Sequence, residues 1–248
     1  MNKYDEILKL CVSTDDLRPA INVPCRRGGK VIAADGMILV SMDDNLPEGG
    51  YADNEYCESC QEWRDVGTKQ IIGSKKICDH LLVVKFPQSG GRLIDDALAV
   101  GSLNGAGGFF DLSAVDAALA KYKKSPIYER LACVGSNCKN GKVYCRHCHH
   151  ENDCDLCRGF GYVLTKNIVG ESFEPNAKVK IREAFFQPYY VSKVGKIMQL
   201  TGCEAEVVAQ EKNSATVFRI GAVDCLLMTL LHRDDVSEDI SVIELRKR

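Results

Sequence analysis

Residues 133–163 read CVGSNCKNGKVYCRHCHHENDCDLCRGFGYV and hold six of the thirteen cysteines and three of the five histidines. The cysteines fall in three pairs: Cys133/Cys138, Cys145/Cys148 and Cys154/Cys157. Two pairs have the two-residue spacing with which one tight turn aims two sulfurs at one metal, and two such turns complete a tetrahedron. Cys157 is followed by Arg158-Gly159-Phe160-Gly161, where glycine permits positive φ and lets amides fold back toward the thiolates. Cys138 is followed by a looser version, Lys139-Asn140-Gly141. Six thiols among glycine turns make a poor apolar core, and nothing in the chain suggests the oxidising environment that disulfides need. The expected cofactor is Zn2+ in a structural role, since four protein ligands leave no open position for water.

The first ligand set to consider is Cys133, Cys138, Cys154 and Cys157, the two halves of a folded-back hairpin. Cys145 and Cys148 would then hold a second ion with His149 or His150. The alternative single site is Cys145, Cys148, Cys154 and Cys157. A further knuckle spacing, Cys57-Glu58-Ser59-Cys60, with Cys78-Asp79-His80 downstream, is a candidate for another site, although no glycine turn follows Cys60.

The chain has 248 residues, 45% hydrophobic and 27% charged, with a formal net charge of −2. That length suffices for two modest domains or one large one. The molecule is not a polycation, so contact with nucleic acid must come from a local basic face. No apolar run approaches the roughly eighteen residues of a membrane span. The N-terminal MNKYDEILKL carries acids within its apolar pattern, unlike a signal peptide. An odd number of cysteines favours a reducing, cytoplasmic setting.

Along the chain, Tyr4, Ile7, Leu8 and Cys11 share one helical face. Short strands are expected at 20–23, 31–34 and 37–40, the last two joined at Asp35-Gly36, a hairpin signal. Residues 81–86 read as a strand, and 93–100 fit either helix or strand. The glycine-rich 101–108 lacks the Gly-Lys-Ser/Thr ending of a phosphate-binding loop, which excludes nucleotide binding there. Asp111 or Ser113 caps a helix expected over 111–124, with Leu112, Val115, Leu119 and Tyr122 as its apolar stripe and Lys121, Lys123 and Lys124 at its end, where the macrodipole favours cations. A strand is expected at 161–165, a loop at 166–177 and a strand at 178–182. A helix from Pro188 to a C-cap at Gly202 carries Lys193 and Lys196 opposite Val191, Val194 and Met198. Strands follow at 204–210, 215–220 and 224–231. Beyond 232 the chain is mostly charged, with Ile240, Val242 and Ile243 able to dock.

Helices alternating with consecutive antiparallel strands define an α+β chain in which helices pack on one face of antiparallel sheet, with a small zinc-hairpin insertion. The boundaries are an N-terminal α+β domain at 1–130, a cysteine-rich insertion at 131–165, and a C-terminal unit with a charged tail at 166–248. Two resemblances go further. The run Cys154-Asp155-Leu156-Cys157-Arg158-Gly159-Phe160-Gly161 resembles the CxxCxGxG repeat of the J-domain co-chaperone zinc domain, over about thirty residues in all; there are three pairs here and no preceding J domain. The helix-to-hairpin segment Leu17-Arg18-Pro19-Ala20 with Ala33-Ala34-Asp35-Gly36-Met37-Ile38-Leu39, and the closing stretch 215–231 with Met228-Thr229, resemble the sliding clamps, the ring proteins that tether DNA polymerases. The clamp resemblance covers about ninety residues.

What the clamp resemblance implies is a non-enzymatic replication accessory protein. Helix cations would contact the DNA backbone without sequence preference, and replication proteins and further copies of the chain would be partners. Lys121, Lys123, Lys124, Lys193 and Lys196 are the candidates for phosphate contact. The rival reading is a zinc-stabilised protein-interaction adaptor without DNA binding. A zinc deaminase is disfavoured, because no proline precedes Cys145 or Cys154 as its Pro-Cys-x-x-Cys requires.

Overall fold

The computed structural model describes residues 2–13, 21, 23–27, 29–51, 54–57, 59–60, 62–65, 68–71, 74–80, 83–84, 94, 97, 103, 107–135, 137–144, 150–174, 176–210, 215–230 and 239–247. The chain divides into two compact units. One comprises 1–121 and 176–248; the other is Tyr122–Pro175. The second unit is wider on both sides than the cysteine-rich stretch 131–165, because the two long strands that carry that stretch belong to it.

In the first unit, helix α1 (Lys3–Cys11) is capped by Asn2, whose side chain accepts from the Tyr4 amide. It buries Ile7, Leu8 and Cys11, as its periodicity requires. Strands β1 (Cys25–Arg27), β2 (Lys30–Ala34) and β3 (Ile38–Asp43) follow. The first strand therefore lies beyond the apolar 20–23, where Ile21 is in a 3-10 turn and Val23 in a bend. The β2–β3 turn is fixed as expected: the Asp35 carboxylate accepts from the amides of Met37 and Ile38, and Gly36 takes φ 96°.

Strands β4 (Asn54–Cys57), β5 (Glu62–Asp65) and β6 (Val83–Val84) form a separate antiparallel sheet. Strand β7 (Phe109–Phe110) precedes helix α2 (Leu112–Leu119), which Asp111 caps. The expected strand at 81–86 is described only at Val83–Val84. Within 93–100 only Ile94 and Ala97, both helical, are described. Gly107 must be glycine, since a Cβ there would meet the Val207 carbonyl oxygen at 1.6 Å.

The second unit holds β8 (Lys124–Ala132), β9 (Cys138–Lys139), β10 (Lys142–Tyr144), β11 (Glu151–Asp153) and β12 (Tyr162–Phe173). Strands β8 and β12 form a long antiparallel ribbon, and β11-β10-β9 a small sheet. Two expectations are corrected here. Helix α2 ends at Leu119, so Lys121 and Lys123 lie in the turn after it and Lys124 opens β8. The supposed loop 166–177 is mostly the second half of β12. Tyr122 turns inward, edge-on to Phe173 with centroids 6.4 Å apart, which takes it out of the α2 stripe.

The first unit resumes with β13 (Ala177–Ile181), β14 (Ala184–Phe186), α3 (Pro188–Thr201), β15 (Ala205–Gln210), β16 (Ala215–Ile220), β17 (Val223–Met228) and β18 (Asp239–Ile243). Pro188 starts α3 and Gly202, at φ 71°, ends it. The main sheet has the order β1-β2-β3-β17-β16-β15-β7, so elements from both ends of the chain share it. Strands from the two ends of the chain are thus joined edge to edge, with Cys225 opposite Val40 and Leu226 opposite Leu39. Helix α3 packs on α1, α2 and the sheet through Val191, Val194, Ile197 and Met198. Phe110, Phe186 and Phe218 meet edge-on, with centroids 5.8 and 6.0 Å apart. The tail does dock: β18 pairs parallel to β13 and buries Ile243.

Candidate metal centre

The second unit gathers four thiols at one point. Cys133 leaves the end of β8 and Cys138 sits in β9, while Cys154 and Cys157 flank the turn after β11. Their sulfurs all lie within 4.8 Å of one another. Cys133 and Cys154 are 3.7 Å apart, and Cys138 and Cys157 3.8 Å. A tetrahedron with metal–sulfur bonds of about 2.3 Å has an edge of about 3.8 Å, so these two separations match that edge and the four sulfurs could hold a metal ion. This is the first of the ligand sets read from the sequence.

Backbone amides complete the arrangement. The Gly135 amide donates to Cys133 at 3.4 Å and the Gly161 amide to Cys157 at 3.3 Å. Amides directed at sulfur favour the thiolate, as the surroundings of a metal-bound sulfur must. The amides of Cys157 and Leu156 act in this way on Cys154, whose thiol is pulled down to about 7 against the effect of burial. Cys138 goes the other way, pushed up to about 12 chiefly by desolvation and by the neighbouring sulfurs despite the Gly141 amide.

The turns that aim these groups demand unusual backbone. Asn140, Gly141, Arg158, Gly159 and Gly161 all have positive φ. Gly141 and Gly159 also touch: a Cβ on Gly141 would lie 2.0 Å from the Gly159 carbonyl oxygen. Cys154 N–H to Gly141 O at 2.7 Å and Cys133 N–H to Gly161 O at 2.9 Å tie the two knuckles together. Asp153 pairs with Lys142 at 2.6 Å beside them. The spacing and glycines revealed this set. The amide of Gly135 went unread, because Cys133-Val134-Gly135 lies outside the repeat pattern.

Cys145, Cys148 and His149 lie outside the described residues; His150 is exposed. In the first unit, Cys57, Cys60 and Cys78 come together within the same 4.8 Å limit, without His80 among them. The cations are scattered. Lys121, Lys123 and Lys196 are exposed, with Lys196 held to Gln199 at 2.9 Å. Lys124 pairs with Glu171 at 3.4 Å. Lys193 is a correction: its ammonium is buried and bonded to Asp35 at 2.7 Å, so it is not presented to a phosphate. The helical period set Lys193 opposite the apolar face, but its partner is the β2–β3 turn, 158 residues away in sequence.

No protein-family model matches the sequence. No curated protein matches it either. Among solved structures, the chain is similar to the polymerase III beta protein of Caulobacter crescentus, at 16% identity and TM-score 0.42, over 94% of this chain and 65% of that one. The DNA polymerase sliding clamp of Bacillus subtilis matches at 13% identity and TM-score 0.42, over 93% and 62%. That of Pseudomonas aeruginosa matches at 14% identity and TM-score 0.39, over 94% and 66%. The chain therefore spans about two thirds of the length of these structures.

Proposed function

We propose that this is a non-enzymatic, zinc-containing DNA-binding protein, a clamp-like replication accessory factor whose second unit is folded around one Zn2+ held by Cys133, Cys138, Cys154 and Cys157. The observation that carries the metal half is the set of four sulfurs within 4.8 Å of one another, with two pairs at 3.7 and 3.8 Å, the edge of a zinc–thiolate tetrahedron. All-sulfur ligation suits zinc, and with four protein ligands the ion has no position for a substrate or an activated water. The ion's role is to hold the knuckles of a small unit whose own core is thin: Leu131, Val134, Leu156, Phe160, Leu164, Ile168 and Val169 are all exposed.

The DNA half rests on the sequence resemblance to sliding clamps and on the exposed cations Lys121, Lys123, Lys124 and Lys196, which would contact phosphates without reading bases. Fluorescence anisotropy with labelled single- and double-stranded DNA tests it. The expected result is binding without sequence preference that weakens steeply with salt, and a shallower salt slope for a Lys121→Ala, Lys123→Ala, Lys196→Ala triple variant. Absence of binding to both forms at low salt would overturn it. That outcome would favour the adaptor reading, which the exposed apolar residues of the second unit support independently.

A further inference from the structure

The ribbon of β8 and β12 carries a row of aromatic rings that the four-sulfur site does not use. We propose that one side of this ribbon stacks the unpaired bases of a single-stranded nucleic acid. The proposal rests on the DNA-binding reading above and deepens it, but assigns the contact to different residues.

The register defines the side. Directly opposed residues of an antiparallel pair point the same way, and neighbours along a strand point opposite ways. Tyr162 stands opposite Ala132, Leu164 opposite Arg130 and Ile168 opposite Tyr128, so Tyr128, Arg130, Tyr162, Leu164 and Ile168 share one side. Phe160 joins them from the knuckle, with its ring centroid 5.9 Å from that of Tyr162. The Arg130 guanidinium lies over the Tyr162 ring, 4.6 Å from its centroid. Tyr128 is two residues from Arg130 on the same strand, about 7 Å along it. Three rings and one guanidinium thus form a row.

Two features set this row apart from a leftover apolar surface. The first is exposure without a structural need. Phe160 is 68% exposed and Tyr128 39%. Phe160 sits between Gly159 and Gly161, at φ 85° and 79°. The turn requires those glycines but makes no demand on the side chain between them, and a ring so exposed gains little from burial. The second is charge. Arg130 has no carboxylate partner among the described residues. Arg158, two residues before Phe160, and Lys166, between Leu164 and Ile168, are exposed as well. The acids are turned away or neutralised. Glu129 faces the other side, where it accepts from Thr165 at 3.1 Å and Asn167 at 2.9 Å, and Glu171 at the far end of the ribbon pairs with Lys124. Rings interleaved with cations suit a single strand, because every base offers a π-face and every nucleotide a phosphate. Only unpaired bases can be splayed onto such rings.

Fluorescence anisotropy with the full chain, reduced and zinc-loaded, tests this on labelled oligo(dT) and a blunt duplex. Oligo(U) of equal length, run beside them, tells which kind of strand the surface takes. Phe160→Leu and Tyr128→Leu keep apolar bulk and remove a ring from an exposed position. Each should weaken binding of the preferred single strand by about fivefold or more and leave duplex binding unchanged. Leu131→Ala, on the opposite side of the ribbon, should change neither. A second measurement needs no variant: ultraviolet crosslinks from a bromodeoxyuridine-substituted oligonucleotide should fall on Phe160, Tyr162 or Tyr128. Unchanged single-strand binding in both leucine variants would overturn the proposal and leave phosphate contact by the lysines standing. Ring-dependent binding that the Lys121, Lys123, Lys196 triple variant does not alter would overturn the lysine contacts instead. Crosslinks confined to other residues would overturn the proposal, and so would absence of binding to either single strand, which would leave this side of the ribbon to a protein partner.

Discussion

The buried Lys193–Asp35 pair makes the sharpest prediction about stability. The two side chains are 7% and 10% exposed, with Nζ and Oδ2 2.7 Å apart, and they fasten α3 to the β2–β3 turn. Lys193→Met keeps the bulk of the stem but removes the ammonium, whose Nζ also lies 5.1 and 5.5 Å from the ring centroids of Tyr189 and Tyr190. Stranding one member of a buried pair costs about 3–5 kcal/mol. Asp35 is not left bare, because Oδ1 still accepts from Met37 and Ile38 at 3.0 and 3.1 Å. The expected loss is therefore about 2–3 kcal/mol. With an m-value of about 2 kcal/mol/M, the urea midpoint should fall by about 1 M at unchanged m. Ellipticity is the right probe, since the three described helices all belong to the first unit. Asp35→Asn combined with Lys193→Met should recover part of the loss, because an asparagine oxygen can still accept from both amides. A loss below about 1 kcal/mol for Lys193→Met, the range of an exposed pair, would refute the reasoning.

Cys157→Ser, or exhaustive chelation, should release the ion of the second unit and open 122–175 to proteolysis while the helical signal persists; simultaneous loss of both signals would contradict two separate units. Gly141→Ala should weaken metal binding and destabilise the second unit by at least about 1–2 kcal/mol, since alanine meets a left-handed φ as well as the Gly159 oxygen, and metal competition with hydrogen exchange would measure it. Asp5 is raised by burial, but the Tyr51 hydroxyl and the amides of Gly49 and Glu48 more than offset this, and its carboxyl is held below the usual range. A lowered folded-state value means the stabilisation is present above about pH 4 and disappears as pH falls through the folded value. Asp5→Asn should therefore be less stable than the unsubstituted protein at neutral pH, and the gap should close under acid.

The elements that the sequence disclosed are those with a private local signal. Asp35-Gly36 marks a turn whatever surrounds it, Pro188 and Gly202 bracket α3, and the glycines after Cys157 mark a knuckle. Strand β8 and the second half of β12 had no such signal. Their side chains are exposed almost throughout β8 and along much of β12, so no alternation of apolar and polar residues announces them. The lysines after α2 fitted a helix end equally well, but the helix stops at Leu119, with Ala120 as its C-cap. Lys193 was illegible for another reason: it is buried by a partner whose position depends on the fold, a turn 158 residues away in sequence. Helical spacing can say which face a residue occupies, but not that a carboxylate waits there.

The pairing of β3 with β17 sets a timetable. On the ribosome, β3 emerges about 180 residues before the strand that completes its free side. At roughly 5–20 residues per second, that edge stays unpartnered for roughly 10–40 s. Within that interval the whole of 122–175 is made, and both strands of its ribbon and all four of its clustered cysteines come from that one segment. The cysteine unit can finish folding during translation, while the larger sheet waits for the last quarter of the chain. On the zinc reading proposed above, a cell short of metal would then hold a nascent chain with two unfinished parts at once, an open strand edge and a set of bare thiols.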